Sequence, residues 1–196
     1  MSAGARGLLL VLADPPPNLE EEFNAWYDTE HLPERAAIPG FENALRFRSV
    51  GDGPGYLAIY DLDALSVLEG DAYLAVSGKN FSPWTRRVTA RSRPVRITAR
   101  QIWPGQALSR PCARLLLLRF RGVPEEGAQE LARELRERLS PYGVLQLRVF
   151  ASDPEADALF VLAELSAPCA AAPDMGSVGT RGGYCDLAAT YRPYDV

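Results

Sequence analysis

The sequence predicts an α+β fold in which two ferredoxin-like βαββαβ repeats pack sheet to sheet. The first half of the chain has the element order strand–helix–strand–strand–helix–strand, the order of a split βαβ unit. The second half repeats that order after a linker containing Pro and Gly. A sheet of this kind has one face covered by helices and one bare face, which must be buried. We therefore expect two domains, residues 1–104 and 112–196, whose sheets face each other.

The elements of the first half follow from apolar runs and the turn residues that end them. Residues 7–13 form a short apolar run followed by three prolines, which favours a strand. A helix should begin at Asn18 as N-cap and end near His31, because Pro33 disfavours helical geometry in the residue before it. The other predicted elements are strands over 41–50, 56–62 and 95–103, a helix over 63–76 capped by Asp63, and a short helical turn over 81–88.

The second half gives weaker signals in the same order. Strands are predicted over 114–120, 143–150, 158–165 and 184–192, and a helix over 124–139. Residues 167–183 are rich in Gly, Ala and Pro, so a loop is expected in place of the second helix. Two pairs of strands resemble each other, 8–12 with 115–118 and 56–62 with 159–165. This similarity favours a duplication over the alternative of unrelated strands of ordinary apolar composition.

Composition excludes several classes of function. The 196 residues are 47% hydrophobic and 23% charged, as in an ordinary globular protein, and the net charge of −4 gives no support for nucleic-acid binding. Three cysteines without a CxxC spacing indicate neither a disulfide framework nor a zinc site. No apolar run approaches the roughly 20 residues that span a bilayer. We expect a cytoplasmic protein with no membrane partner.

The only histidine of the chain lies in the segment 26–35, WYDTEHLPER. Histidine is the one side chain whose ordinary pKa lies in the physiological range, so His31 is the single obvious group for proton transfer. The end of the helix, together with Glu30 and Glu34, is expected to favour the imidazolium form. The alternative is that His31 only satisfies the last carbonyls of the helix.

Spacing places His31 beside aromatic rings. Phe23, Tyr27 and His31 are four residues apart, so they share one helix face, which should point at the sheet. A pocket walled by aromatics with one titratable group suits a small planar or hydrophobic ligand. Glu34 and Arg35 are expected to form an exposed or interface pair instead of contacting the ligand.

These residues resemble those of a known family. The pattern W-Y-x-x-E-H-x-P over 26–33, with the segments 38–41 (IPGF) and 56–60 (YLAIY), resembles the EthD-like branch of the dimeric α/β-barrel superfamily over residues 7–103. Members are usually dimers whose sheets form a barrel. The resemblance therefore implies a pseudo-dimeric α/β barrel within one chain, and it leaves further homodimerisation open.

The resemblance also implies where a ligand binds. In several enzyme branches the histidine matched here by His31 lies in a pocket between helix and sheet. The second half has no counterpart of this motif, so one site per chain is expected. If Phe41, Leu45 and Phe47 face the helices, Arg46 and Arg48 face the barrel interior or the seam between the halves. The residues expected to bind substrate are Phe23, Trp26, Tyr27, Phe47, Tyr60 and Trp84; core packing is the alternative for Tyr60 and Trp84.

Three hypotheses for function follow. The superfamily includes lactone isomerases, polyketide cyclases, cofactor-free monooxygenases and haem-degrading enzymes. The first hypothesis is a lyase, isomerase or cyclase that acts on a small aromatic, lactone or polyketide-type molecule by proton transfer through His31, without metal or organic cofactor. The second is a non-catalytic protein that binds a small hydrophobic molecule. The third is haem binding through His31.

Overall fold

Eight antiparallel strands form a closed barrel in the computed structural model of the protein, which describes residues 4–154, 158–169 and 183–194. The strands are β1 (Gly7–Ala13), β2 (Leu45–Ser49), β3 (Tyr56–Leu62), β4 (Val95–Trp103), β5 (Arg114–Arg121), β6 (Val144–Asp153), β7 (Ala158–Leu165) and β8 (Tyr184–Pro193). Their order around the barrel is β1-β3-β2-β8-β5-β7-β6-β4.

The two halves of the chain contribute four neighbouring strands each. In both halves the strand order has the same form, β4-β1-β3-β2 in the first and β8-β5-β7-β6 in the second. Two seams join the halves, β2 with β8 and β4 with β6, and both are antiparallel. The predicted α+β class is confirmed, and most of the predicted loop 167–183 lies outside the described residues.

The interior of the barrel is filled with apolar side chains from both halves. Leu8 and Leu10 of β1 meet Phe150 of β6 and Tyr191 of β8 in one buried cluster. An eight-stranded barrel is just wide enough for such side chains to fill it. The helices therefore lie outside the barrel, where each half buries a second apolar cluster beneath them.

Helices cover the two halves unequally. The first half is covered by α1 (Glu20–Trp26), a π-helical turn (Tyr27–His31), α2 (Leu32–Ala36), the short α3 (Asp71–Leu74) and α4 (Pro83–Ser92). The second half is covered by α5 (Ala128–Arg138), which packs directly on the sheet through fully buried leucines.

The first observed helix extends beyond its predicted C-terminal end and begins after its predicted N-terminal end. It continues past His31 to Ala36, and Pro33, which has no N–H, lies directly after a π-helical turn that already interrupts the regular hydrogen bonding. The N–H of Leu32 donates to the Tyr27 carbonyl, five residues back, as in a π-helix. Asn18 is not the N-cap, since it lies within a 3₁₀ turn that precedes α1.

The helix predicted over 63–76 is wrong, because the long second helix lies further along the chain. Residues 63–76 form a 3₁₀ turn (Leu65–Glu69) and the short α3, because Gly70 between them has extended backbone geometry. The long second helix is α4, whose N-cap Ser82 accepts a hydrogen bond from the Thr85 N–H. The strand predicted over 41–50 is also shorter, with Phe41 forming only an isolated bridge.

A buried ionic cluster joins the halves inside one end of the barrel. The Arg148 guanidinium is fully buried and donates to Asp61 Oδ1 at 2.8 Å and to Ser109 Oγ at 2.6 Å. Glu164 Oε1 lies 3.4 Å from the same guanidinium and Gln146 donates to its other oxygen at 3.0 Å. The cluster thus ties β3 of the first half to β6 and β7 of the second.

Replacing Arg148 with Met should destabilise the protein by about 3–5 kcal/mol, because two buried carboxylates would lose their counter-charge. Urea unfolding at pH 7, followed by tryptophan fluorescence, measures the change. Arg133→Met on the exposed face of α5 is the matched control and should stay within about 0.5 kcal/mol of the wild type. Equal losses in the two variants would contradict a structural role of the buried cluster.

Candidate functional site

A cavity of about 90 Å³ lies between the outer face of the first-half sheet and the helices that cover it. The floor of this cavity comes from β1 and β3, and one wall comes from the continuous helix of α1, the π-helical turn and α2. The lining residues are Leu9, Val11, Ala13, Phe23, Trp26, Tyr27, His31, Arg35, Tyr60, Tyr73, Phe81, Thr89, Ser92, Pro94 and Arg96.

The π-helical turn sets the direction of the His31 side chain. At 3.6 residues per turn, residues five apart point about 140° away from each other. Trp26 and His31 are five apart, yet their rings stack with centroids 4.3 Å apart and planes 25° apart. Tyr27 presents its edge to the same imidazole at a centroid distance of 5.2 Å. The wider turn therefore brings His31 onto the aromatic wall of the cavity.

Helix α4 fixes the π-helical turn from one side. The Glu30 carboxylate accepts hydrogen bonds from Ser82 Oγ at 2.5 Å and from Thr85 Oγ1 at 2.9 Å. Trp26 Nε1 donates to the same Thr85 hydroxyl oxygen at 3.0 Å. Glu30 and the indole that stacks on His31 are thus held by one partly buried network, which restricts the motion of the imidazole.

Arg46 of β2 fixes the turn from the other side. Its guanidinium donates to Asp28 Oδ1 at 2.5 Å and to Asn24 Oδ1 at 2.7 Å. Its central carbon lies 4.2 Å from the ring centroids of both Tyr27 and Tyr194. Contrary to expectation, this arginine faces the helix, because the helix supplies the carboxylate and the rings that a buried cation needs.

Two of the predicted site residues lie elsewhere. Phe47 points into the apolar barrel interior, as alternation along β2 requires once Arg46 faces the helix. Trp84 packs against the apolar cluster under the helices but does not line the cavity. The structure does bring Phe23, Trp26, Tyr27, His31 and Tyr60 together around the cavity.

The imidazole of His31 is neutral at physiological pH. Burial, followed by the positive charges of Arg35 and Arg46, lowers its pKa from 6.5 to about 3. The expectation of an imidazolium is therefore wrong. It assumed that the helix ends at His31, whereas the helix continues for five more residues. Desolvation and two nearby cations outweigh the acidic neighbours.

Arg35 is buried instead of belonging to an exposed pair. Its side chain is 3% exposed, its Nη2 donates to the Val76 carbonyl at 2.8 Å, and its guanidinium lies over the Tyr73 ring at 5.0 Å. The nearest Glu34 oxygen is 3.8 Å away. The four-residue spacing of Phe23, Tyr27 and His31 continues to Arg35, so the sequence contained this signal.

Three buried polar atoms of cavity residues have no hydrogen-bond partner: His31 Nδ1, Arg35 Nη1 and the Tyr60 hydroxyl. Burial raises the pKa of Tyr60 well above its usual value, so its hydroxyl remains a proton donor. Leaving a buried polar group unpaired costs about 1–3 kcal/mol. Three such groups around one cavity therefore favour a bound molecule that pairs with them.

Two larger depressions elsewhere on the surface are not lined by the unpartnered polar atoms named above. A groove of about 590 Å³ runs along exposed charged residues of α5. A second, of about 400 Å³, lies beside β2 and the linker, where Asn43 and Ser109 already donate to Asp61. Within the described ranges, no cluster of three or more His, Cys, Asp or Glu side chains could hold a metal ion. None of the described helices has the length and apolar character needed to cross a bilayer.

The chain matches no protein-family model and no curated protein in sequence. Its fold matches solved structures. An anthrone oxidase-like protein is 10% identical, with a TM-score of 0.60 over 97% of this chain and 92% of that protein. A proposed monooxygenase from Lactobacillus acidophilus is 8% identical, with a TM-score of 0.56 over 97% and 94%. A heme-binding protein from Thermus thermophilus is 12% identical, with a TM-score of 0.53 over 97% and 92%.

These neighbours include members of the dimeric α/β-barrel superfamily. The chain has the dimeric α/β-barrel fold. Identities this low establish the fold alone, so membership of the EthD-like branch stays a prediction. The barrel of this chain is closed by strands of a single polypeptide.

The single histidine allows a direct test of the site's electrostatics. In an NMR pH titration the His31 ring signals should titrate near pH 3, because burial and two arginines disfavour the imidazolium. The unfolded chain has the ordinary pKa of 6.5 and binds the proton first. The contribution of neutral His31 to stability is therefore complete above pH 6.5 and is lost as the pH falls toward 3.

The variant His31→Gln is the control for the stability effect. Its free energy of unfolding should depend less steeply on pH than that of the wild type between pH 6.5 and about 3. Parallel curves for the two proteins, or a ring titration near pH 6.5, would show that the imidazole is solvated in solution.

Proposed function

We propose that the cavity binds a small molecule that has a polar oxygen group, and that His31 transfers a proton to or from it without metal or organic cofactor. The main support is the set of three unpartnered polar atoms on His31, Arg35 and Tyr60 around one largely aromatic cavity. A small aromatic, lactone or polyketide-type molecule has the matching chemistry: an apolar body and an oxygen that accepts hydrogen bonds.

The proposed chemistry uses the neutral imidazole as a base. The pKa near 3 keeps His31 unprotonated at pH 7, so its ring nitrogen accepts a proton from an acidic C–H next to a carbonyl. The Tyr60 hydroxyl donates a hydrogen bond to the carbonyl oxygen, which gains negative charge as the proton leaves. The imidazolium then lies beside the enolate it has formed, and this attraction offsets the repulsion from the arginines.

The structural neighbours support a small-molecule role in general terms. Two of them are described as an anthrone oxidase-like protein and a proposed monooxygenase. With only 8% and 10% identical residues, they do not assign a reaction to this chain. The substrate class therefore rests on the cavity, whose size excludes large ligands.

Binding without catalysis is the second candidate. The cavity of about 90 Å³ is smaller than the roughly 300–1,000 Å³ of ordinary ligand pockets. An imidazole of such low pKa is also a weak base, and general bases are most effective when their pKa lies near the working pH. Both observations favour a protein that holds a small molecule and releases it unchanged.

Haem does not fit the His31 cavity. A porphyrin needs far more room than about 90 Å³. The heme-binding neighbour shares the fold with this chain, but an identity of 12% does not indicate that His31 is an axial ligand. Haem addition should therefore give no Soret shift that depends on His31.

We also propose that residues 1–104 and 112–196 are tandem copies of one ferredoxin-like unit, the first of the EthD-like type. The identical strand order of the two halves supports a duplication. The W-Y-x-x-E-H-x-P pattern supports the branch. The His31 cavity lies in the half that contains the pattern.

Proton transfer can be tested with a small enolisable lactone such as α-angelica lactone. In D₂O the wild type should accelerate exchange of the acidic C–H of the lactone for deuterium, followed by NMR. His31→Gln should slow this exchange by about 10²-fold or more, because a positioned base contributes 10²–10⁴-fold. Binding, followed by chemical shifts of the cavity residues, should change little.

Two outcomes would decide against the proposal. Binding without accelerated exchange in the wild type would favour the non-catalytic candidate. Equal exchange in the wild type and in His31→Gln would remove His31 as the base. Arg133→Met, which changes a residue of α5 on the other half of the barrel, serves as the control and should exchange the lactone like the wild type.

A further inference from the structure

We infer that the ligand of the His31 cavity is bound as a small organic monoanion, with a negatively charged oxygen seated on Arg35. This inference rests on the proposed function, because it specifies the charge of the molecule that the cavity holds. It follows from the pairing of buried arginines, the surroundings of Arg35 and the size of the cavity.

Three arginines in the described part of the chain are buried, and two of them have a carboxylate within hydrogen-bond distance. Arg46 lies 2.5 Å from Asp28, and Arg148 lies 2.8 Å from Asp61. Arg35 is the exception, since its nearest carboxylate oxygen, on Glu34, is 3.8 Å away. A buried cation without a close counter-charge is strongly unfavourable, so the fold retains one cationic position that an anion would complete.

The remaining groups around Arg35 do not supply that charge. Val76 offers a neutral carbonyl, and Tyr73 offers the face of a ring. Glu34 is partly exposed, and its nearest oxygen stays beyond hydrogen-bond distance of the Arg35 guanidinium, at 3.8 Å. Arg46 adds a second positive charge near His31, although Asp28 largely neutralises it. The field in the cavity is therefore positive.

The unpaired donors and the volume of the cavity limit which anion can bind there. Arg35 Nη1 and the Tyr60 hydroxyl are unpaired donors that line the same cavity, so they can both bind one carboxylate or enolate oxygen group. The volume of about 90 Å³ is less than a third of the roughly 300 Å³ at which ordinary ligand pockets begin. Most of the remaining lining is apolar or aromatic, although Arg96 adds a second cation. A short monocarboxylate, with an apolar end toward Phe23 and Leu9, fits these limits.

Acetate and acetamide test the inference on the wild-type protein. The two molecules have nearly the same size and differ in charge. Titrations at pH 7 and constant ionic strength, followed by the His31 ring signals, should show acetate binding at least about tenfold more tightly, because charge-assisted hydrogen bonds are roughly twice as strong as neutral ones. Equal affinities, or tighter binding of acetamide, would overturn the inference.

The variant Arg35→Met tests whether Arg35 is the residue that binds the negatively charged oxygen. It should lose the preference for acetate, whereas Arg133→Met, with the same chemical change on the other half of the barrel, should keep it. Urea unfolding establishes whether Arg35→Met is folded, and if it is not, the acetate–acetamide comparison on the wild type decides alone. If the neutral lactone binds and acetate does not, this inference fails while the proposed function stands. If none of the three probes binds, both fail.

Discussion

Closure of the barrel is the constraint on which the rest of the structure depends. Each described strand pairs on both sides, and side chains of both halves fill the interior. The interior therefore leaves no room for a ligand, and the His31 cavity lies outside the sheet, beneath the helices. In the second half, Leu131 and Leu135 of α5 pack on the strands without exposed surface, and that space is filled. In the first half, the helices stand off the sheet far enough to leave a cavity.

The π-helical turn adapts an ordinary helix to that cavity. It directs His31 onto Trp26, and carboxylates within the turn connect it to separate elements, Asp28 to β2 and Glu30 to the start of α4. A wider helical turn is less favourable than a regular one and occurs frequently at functional sites. Here its position depends on tertiary contacts on both sides, so the geometry of His31 is held at some cost to local helix stability.

Sequence reasoning succeeds where local chemistry decides the structure. Strands such as β1 and β3 have apolar runs bounded by Pro or Gly, and their predicted limits match the observed ones. It fails where tertiary contacts decide. It also fails where a local signal is overlooked, since α4 begins with the Ser82 cap and Pro83, after a longer apolar segment whose pattern favours a helix over 63–76. Arg35 continues a visible spacing, but charged residues are seldom buried, so the sequence places it at the surface. Tyr73 and Phe81 reach the cavity from segments too short or irregular to show periodicity.

The stack of Trp26 on His31 has an optical consequence. Indole emission responds to the charge of an aromatic ring in van der Waals contact, and here the neighbouring ring is the imidazole of His31. Trp26 is buried and its Nε1 is hydrogen-bonded to Thr85, so solvent contributes little to its spectrum. Trp26 should therefore report the protonation of His31 without an added label, once the emission of Trp84 and Trp103 is subtracted.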